Sequence, residues 1–265
     1  MIRKDLKVEG IMKRIESEQN ASVKQWKKLY TKKEREKTRT YLIEGPHLIE
    51  EAIKHDVPVI HLIVEESFEL PGTWDAYALN TWVVTRKIMK GLSDTEHPQG
   101  ILAVCEMPAE EETLEPKGRF LLVDGVQDPG NLGTIIRTAD SAGLNGVILG
   151  EGTVDLYNSK VLRATQGSLF HLPVIKGHLS KWISSFKEEG VPVYITALKG
   201  ATSMREVASP EQFALVIGNE GSGVRSEIMK EADELVAIPI YGQAESLNVS
   251  VATGILLYEL QRNRK

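Results

Sequence analysis

The sequence predicts two α/β domains joined by a short surface linker. First, strand-like apolar runs alternate with helix-like segments over roughly 65 residues ahead of position 108. Second, the segment 108–118, PAEEETLEPKG, has two prolines, one glycine and little apolar content, as expected of a linker. Third, the alternation restarts beyond it with apolar strands that are typical of a mostly parallel sheet. A chain of 265 residues is long enough for two such domains.

The N-terminal domain begins with a basic segment. Residues 20–40, NASVKQWKKLYTKKEREKTRT, predict one helix with an apolar edge. The chain after it predicts a short strand, a helix from about Pro46 to His55, and an apolar strand over Val59–Val64. The segment TWVVTRKIMKGLSD predicts a strand and a short helix, and GILAVCEM predicts the closing strand.

The C-terminal domain predicts a parallel sheet covered by helices. FLLVDGV, GVILG, VPVYITAL, FALVIGN and ELVAIPI predict strands, and TIIRTADSAG predicts a helix after the first of them. The last segment, SLNVSVATGILLYELQRNRK, predicts a helix with a wide apolar stripe that includes Leu247, Val251 and Ile255. A stripe of that width is expected to be buried against the sheet or against another subunit.

Charge is distributed unevenly along the chain. Residues 1–40 hold 13 Lys and Arg against 6 Asp and Glu, a local charge of +7, although the whole chain carries −5. A basic arm on an acidic body fits a polyanionic partner, and it fits a solvated helix face equally well.

Composition excludes several classes of protein. The chain is 42% hydrophobic and 26% charged, as in globular proteins, and no apolar run reaches the roughly 20 residues of a membrane-spanning helix. The N-terminus lacks the apolar stretch of a secretory signal, so we expect a cytoplasmic protein. Cys105 has no cysteine partner, and the six histidines show no repeated metal-ligand spacing, so no metal site is predicted.

Three polar loops follow predicted strands of the C-terminal domain, where ligands collect in open α/β sheets. The first is DGVQDPGNLGTIIRTADSAG, in which Gly133 allows close approach of backbone. Its polar side chains, Asn131 and Arg137, have ordinary alternatives as a helix cap and a surface ion pair.

The second and third loops are IGNEGSGV and IPIYGQAESLNVSVA. Their glycine spacing fits neither the dinucleotide fingerprint nor the phosphate loop, which argues against a Rossmann dehydrogenase. Glu220, Ser246 and Asn248 can each be explained as residues at a helix start. Convergence of all three loops at one sheet edge instead predicts a functional site.

The ordered motifs carry a family resemblance. N-L-G-T-I-I-R-T-A, then I-G-N-E-G-S-G, then I-P-I-x-G-x-x-x-S-L-N-V-S-V-A resemble the three motifs of the SpoU (TrmH-like) branch of the SPOUT RNA 2′-O-ribose methyltransferases, over residues 119–265. Residues 20–105, with K-x-x-x-x-L, IEG and HPQGILAV, resemble the L30e-like substrate-binding domain that is often fused ahead of it. The resulting expectation is an extension over 1–19, an RNA-binding domain over 20–107, a linker over 108–118 and a catalytic domain over 119–265.

The resemblance implies a fold, a methyl donor and an assembly. It implies a deep trefoil knot in the C-terminal domain, a homodimer with the active site at its interface, and S-adenosylmethionine as cofactor, without a metal. Family positions assign cofactor contacts to Gly218, Ile238 and Leu247.

The resemblance also implies a catalytic set. The family's catalytic arginine corresponds to Arg137, and its other active-site polar positions correspond to Asn131, Glu220, Ser246 and Asn248. Because a guanidinium is not readily deprotonated, Arg137 would more naturally bind a phosphate and stabilise charge on the ribose 2′-oxygen than accept a proton.

Ribosomal RNA is the expected substrate, because the two-domain layout resembles ribosomal RNA modifiers more than transfer-RNA members. A transfer-RNA methyltransferase and a non-catalytic ribosome-assembly protein remain the alternatives. Trp26 and Tyr30 are expected to pack with Leu29 rather than stack on bases. Phosphate contacts are expected from the basic segment, namely Lys24, Lys27, Lys28, Lys32, Lys33 and Arg35.

Overall fold

The computed structural model describes residues 13–72, 74, 80–108 and 114–264. The chain forms two compact units, one of residues 1–109 with 157–159 and one of the remainder. The predicted extension over 1–19 and the predicted linker over 108–118 both lie partly outside the described residues.

The first unit is a mixed five-stranded sheet with helices. The sheet has the order β1-β4-β3-β5-β2, in which β3 and β4 are parallel and β5 is antiparallel to both β2 and β3. Its strands are β1 (Lys13–Ile15), β2 (Thr40–Glu44), β3 (Val59–Glu65), β4 (Thr81–Val84) and β5 (Ile101–Glu106). Its helices are α1 (Ala21–Lys28), α2 (Lys32–Thr38), α3 (Pro46–Lys54) and α4 (Arg86–Leu92).

Two features of this unit differ from the sequence prediction. The single helix predicted over 20–40 is wrong, because the chain breaks into α1 and α2 after the buried Leu29. At the break, the hydroxyl of Thr31 donates to the carbonyl of Lys28 at 2.8 Å and satisfies one of the last acceptors of α1. Strand β1 was not predicted, because Ile15 is its one buried residue and leaves no period-two pattern.

The second unit is built on a parallel seven-stranded sheet, as predicted. Its order is β10-β12-β9-β11-β6-β7-β8, with every pairing parallel. Its strands are β6 (Arg119–Asp124), β7 (Gly146–Leu149), β8 (Val174–Lys176), β9 (Val193–Thr196), β10 (Thr202–Ser203), β11 (Phe213–Gly218) and β12 (Glu234–Ala237). Its helices are α5 (Pro129–Ser141), α6 (Ser159–Thr165), α7 (Leu179–Glu188), α8 (Ser226–Met229) and α9 (Val249–Leu260), with a 3₁₀ turn over Ser168–Phe170.

Strand order brings the predicted loops together. Strand β6 lies next to β11 in the sheet, and β12 lies two strands from β11, so all three strands end at the same edge. Both β6 and β11 are buried along nearly their whole length, with Phe120, Leu122 and Val216 in the core beneath the helices.

The C-terminal helix is shorter than predicted. It begins at Val249, with Asn248 as N-cap, so Leu247 belongs to the preceding loop. Its buried side carries Leu256, Leu257 and Leu260, whereas Val251 is exposed to 52%. Among the described residues, no helix is long and apolar enough to cross a membrane.

Candidate active site

The loop after β6 is shaped by the first turn of α5. Asp128 is the N-cap of α5, and its carboxylate accepts the N–H of Asn131 at 2.7 Å. The cap is therefore Asp128, which leaves the side chain of Asn131 available for other contacts. Gly133 confirms the predicted close approach, since a Cβ there would lie 2.4 Å from the Cβ of Ala164 on α6.

Glu220, in the loop after β11, holds the first loop in place. One carboxylate oxygen accepts the N–H of Asp128 at 3.0 Å and the Nδ2 of Asn131 at 3.1 Å. The other accepts the N–H of Gln127 at 3.2 Å. Burial raises the pKa of Glu220, but these hydrogen bonds to the charged form outweigh it and leave the pKa below its ordinary value. Glu220 is therefore an ionised acceptor that joins two loops.

Asn248 connects the third loop to the same network. Its Nδ2 donates to the Oδ1 of Asn131 at 2.9 Å, while its own Oδ1 accepts the N–H groups of Ser250 at 2.9 Å and Val251 at 3.4 Å. The predicted capping role of Asn248 is thus confirmed, and the same side chain also bridges to α5. Glu220, Asn131 and Asn248 form one continuous chain of hydrogen bonds through all three loops.

The loop after β11 folds back on its own strand. A Cβ on Gly218 would lie 2.1 Å from the carbonyl carbon of Gly223, so only glycine fits at this position. Asn219, which the sequence analysis did not single out, ties the turn together: its Oδ1 accepts the N–H of Gly221 at 2.9 Å and of Ser222 at 3.1 Å. Its Nδ2 donates to the carbonyl of Gly125 at 2.8 Å in the first loop.

A buried ion pair at the end of β6 was also missed. Asp124 is 1% exposed, and its two oxygens accept the backbone N–H and the Nε of Arg225, each at 2.8 Å. Arg225 immediately follows the loop after β11, so the pair fixes the far end of that loop. An acidic residue at the end of a buried strand was the available signal, because a buried carboxylate needs a partner.

A cavity of about 450 Å³ lies beside the network. Gly218, Ile238 and Leu247, the three predicted cofactor contacts, all line it, and so do Glu220 and Ser246. Its floor is apolar, with Val236 and Leu256, and its volume lies within the range of about 300–1,000 Å³ that small-molecule sites have. An apolar floor with backbone and polar groups on one side fits a cofactor that combines a flat base with polar groups.

Arg137 lies outside this cavity. It is exposed on α5, six residues after Asn131, which is about 9 Å along a helix axis. None of the described residues forms an ion pair with its guanidinium, so the ordinary alternative of a surface salt bridge finds no support here. Ser246 is exposed at the edge of the cavity.

The predicted RNA contacts divide into two groups. Lys24, Lys27, Lys28, Lys32 and Lys33 are all exposed. The prediction for Arg35 is wrong, because its side chain is buried and donates to the carbonyl of Leu29 at 2.7 Å. Trp26 is buried as expected and packs edge-on against Trp82, with ring centroids 5.5 Å apart.

Comparison with known proteins agrees with this geometry. Residues 118–258 match the SpoU rRNA Methylase family, and residues 20–103 match the MRM3-like substrate binding domain. The chain is 48% identical over 250 residues to the 23S rRNA (guanosine(2553)-2′-O)-methyltransferase RlmP of Bacillus subtilis, covering 94% of this chain and 100% of that protein. It is 32% identical to the 23S rRNA (uridine(2479)-2′-O)-methyltransferase of Streptomyces viridochromogenes, covering 92% and 91%.

A solved structure agrees over both units. The AdoMet-bound rRNA methyltransferase from Sinorhizobium meliloti has a TM-score of 0.86 at 31% identity, covering 96% of this chain and 99% of that one. Together with the matched motifs and the hydrogen-bond chain that joins them, these likenesses show that the chain belongs to the SpoU rRNA methylase family.

Proposed function

We propose that this chain transfers a methyl group from S-adenosylmethionine to the ribose 2′-hydroxyl of a nucleotide in 23S ribosomal RNA. The observation that carries the proposal is the meeting of three loops: Glu220, Asn131 and Asn248 are hydrogen-bonded in series beside a cavity lined by Gly218 and Leu247. Likeness to RlmP over the whole of that protein favours 23S rRNA over transfer RNA. The guanosine that its name specifies is the first nucleotide to test.

The cofactor supplies a methyl group on a sulfonium, whose sulfur leaves neutral, so the protein has to align the acceptor oxygen and help it lose its proton. Positioning of this kind supplies several kcal/mol of the barrier. The ionised Glu220 holds Asn131, and Asn131 holds Asn248, which fixes the edge of the cavity. Gly218, Ile238 and Leu247 would hold the cofactor.

Arg137 would act on the RNA rather than on the cofactor. Its guanidinium is exposed and has no described ion-pair partner, so it is free to bind a phosphate of the substrate. From there its positive charge would stabilise the negative charge that develops on the 2′-oxygen. We propose no proton-acceptor role for it, since the pKa of a guanidinium lies above about 12.

Division of labour between the units is part of the proposal. Residues 20–107 would bind RNA, residues 119–265 would carry out the transfer, and the activity would take place in the cytoplasm, where ribosomal RNA is modified in bacteria. The trefoil knot inferred from the resemblance stays a prediction.

A homodimer is the proposed assembly. Among the described residues, the large apolar side chains that are exposed all lie in the second unit: Leu198, Ile240, Tyr241, Leu247, Val251 and Tyr258. A second copy covering Val251 and Tyr258 on α9 would remove them from water. Val251→Asp with Tyr258→Asp should convert a dimer to a monomer in light scattering, and a monomeric wild type would rule the dimer out.

The test of the function is to map 2′-O-methyl groups in ribosomal RNA from strains with and without the gene, and after treatment of the unmodified RNA with purified protein and cofactor. One 23S nucleotide should lose its methyl group in the deletion strain and regain it in vitro. Arg137→Ala should lower turnover about 100-fold or more and leave cofactor affinity unchanged, with Arg137→Lys as the variant that keeps the charge. Identical methylation maps in the two strains would refute the proposal.

A further inference from the structure

A groove of about 670 Å³ lies on the first unit, within the residues that match a substrate-binding domain. Its walls are the turn after β3 with Phe68, the first turns of α4 with Arg86 and Lys90, and the loop 96–100. We infer that this groove binds an unpaired nucleotide of the RNA, with its phosphate on the two cations and its base against Phe68. The inference rests on the proposed function, because it says where the RNA substrate is held.

The turn that carries Phe68 is held in place by backbone hydrogen bonds. The N–H of Glu65 donates to the carbonyl of Gly100, and the N–H of Phe68 donates to the carbonyl of Glu65, each at 2.8 Å. Gly100 has φ +78°, and a Cβ there would lie 3.1 Å from the Cδ2 of Phe68. The aromatic ring therefore packs against bare backbone, which fixes its position in the wall of the groove.

The opposite loop is anchored by a buried carboxylate. Glu44, at the end of β2, is 8% exposed and accepts the hydroxyls of Ser93 at 2.6 Å and Thr95 at 3.0 Å. Gly45 has φ +99°, and a Cβ there would lie 2.6 Å from the Oε1 of Gln99, so glycine leaves the space in which Gln99 sits. The groove is therefore formed before any ligand binds, which lowers the entropic cost of binding.

Two unpaired cations lie on one side of the groove. Arg86 and Lys90 are exposed at i and i+4 on α4, and no described carboxylate forms an ion pair with either. Like charges at this spacing destabilise a helix. Lys87, between them in sequence, does have a partner: its Nζ lies 2.7 Å from a carboxylate oxygen of Glu18. The unpartnered cations are thus those that line the groove, where an external phosphate would pair with them.

The remaining lining groups fit a nucleobase. Glu65 and Glu96 are acceptors, and Gln99 offers both donors and acceptors. Single-stranded RNA is bound by stacking on aromatic rings together with hydrogen bonds to base edges. Cations, an aromatic ring and edge-reading groups within one groove are the combination that a nucleotide requires.

The basic segment continues the positive edge of the groove. Helix α1 packs on α4, and the Nζ of Lys27 lies 3.2 Å from where a Cβ on Gly91 would be. Lys27 thus lies next to the turn of α4 that carries Lys90. A strand held in the groove would pass directly onto the exposed lysines of α1.

The experiment measures binding of a 23S rRNA transcript to the full-length protein by filter retention over a range of salt concentrations. Arg86→Ala with Lys90→Ala should weaken binding about tenfold and lower the salt slope by about 1.4, since each phosphate contact on a single strand contributes about 0.7. The control is Lys54→Ala with Lys87→Ala, which removes the same charge from the same unit outside the groove. Equal affinity of the two double variants would overturn the inference.

A second variant tests the stacking contact. Phe68→Leu keeps an apolar side chain over Gly100 and removes the ring, and it should weaken RNA binding about fivefold or more without changing cofactor affinity. A variant that binds RNA as tightly as the wild type would exclude stacking. Because binding is measured without turnover, groove-dependent binding in a protein that methylates nothing would refute the proposed function alone. Normal methylation with groove-independent binding would refute the groove alone.

Discussion

The two oxygens of Asp124 accept the backbone N–H and the Nε of Arg225, both at 2.8 Å. Asp124 ends β6, whereas Arg225 is the N-cap residue of α8, 101 residues later. One buried carboxylate therefore fixes where the loop over 219–224 leaves the sheet, and that loop forms one wall of the cavity.

Asp124→Asn should loosen this loop. The amide keeps one acceptor for the backbone N–H of Arg225 but removes the charge that pairs with its side chain. Because Arg225 is half exposed, water replaces part of the lost interaction, and we expect a loss of about 1–2 kcal/mol in the free energy of unfolding. Urea unfolding measures this loss, and calorimetry with S-adenosylmethionine should show weaker binding. Glu227→Gln, at the more distant contact of Arg225, is the control and should change neither quantity.

Asn248→Asp separates capping from bridging. A carboxylate caps α9 as well as an amide does, so stability should stay within about 0.5 kcal/mol of the wild type. It cannot donate to the Oδ1 of Asn131, so turnover should fall while the fold is retained. Asn248→Ala loses both roles and should cost about 1 kcal/mol in addition. Wild-type turnover in the aspartate variant would show that the bridge to Asn131 has no role in the reaction.

Glu220 should make stability depend on pH on the acid side. Its pKa is lowered in the folded state, so the stability that it contributes is complete above its unfolded pKa of about 4.3 and is lost as pH falls through the lower folded value. Unfolding of the wild type and of Glu220→Gln, compared between about pH 3 and pH 7, should show the smaller acid dependence in the variant. Parallel curves would contradict this assignment.

Gly218→Ala should disrupt the cavity, because the new Cβ would lie 2.1 Å from the backbone of Gly223. The loop cannot move away without breaking the Asn219 hydrogen bonds, so both stability and cofactor binding should fall sharply. Gly221→Ala is the matched control in the same loop, since its Cβ would meet no atom nearer than Oδ1 of Asn219 at 3.6 Å. Equal thermal stability of the two variants would contradict the steric argument.

Much of the second unit follows from local pattern. Strands such as β6 and β11 are continuous apolar runs, and their burial on both faces makes that pattern legible. Short strands such as β8 and β10 carry too few residues to show any period. In the first unit, the division of residues 20–40 into two helices depends on burial of Leu29 and Arg35, which is a tertiary effect.

The candidate site was predictable as a set of residues but not as a network. Motif order indicated Asn131, Glu220 and Asn248, whereas their connections depend on side-chain positions that no spacing rule supplies. Burial of Arg35 shows the same limit, since a basic residue in a basic segment reads as a surface cation until its packing is known. Asp124 and Asn219 were missed because each resembles an ordinary strand end or turn residue.

The cavity beside Gly218 and Leu247 is enclosed by the ends of β9, β11 and β12 and by the start of α9. Segments so far apart in sequence come together only in the native sheet, so a molecule that occupies this space has no counterpart site in the unfolded chain. Its binding free energy is then added to the folding free energy of the whole second unit. At a hundred times its dissociation constant, such a ligand would stabilise the protein by about 2.7 kcal/mol. Cellular cofactor concentration thereby becomes a determinant of how long this protein survives heat and proteolysis.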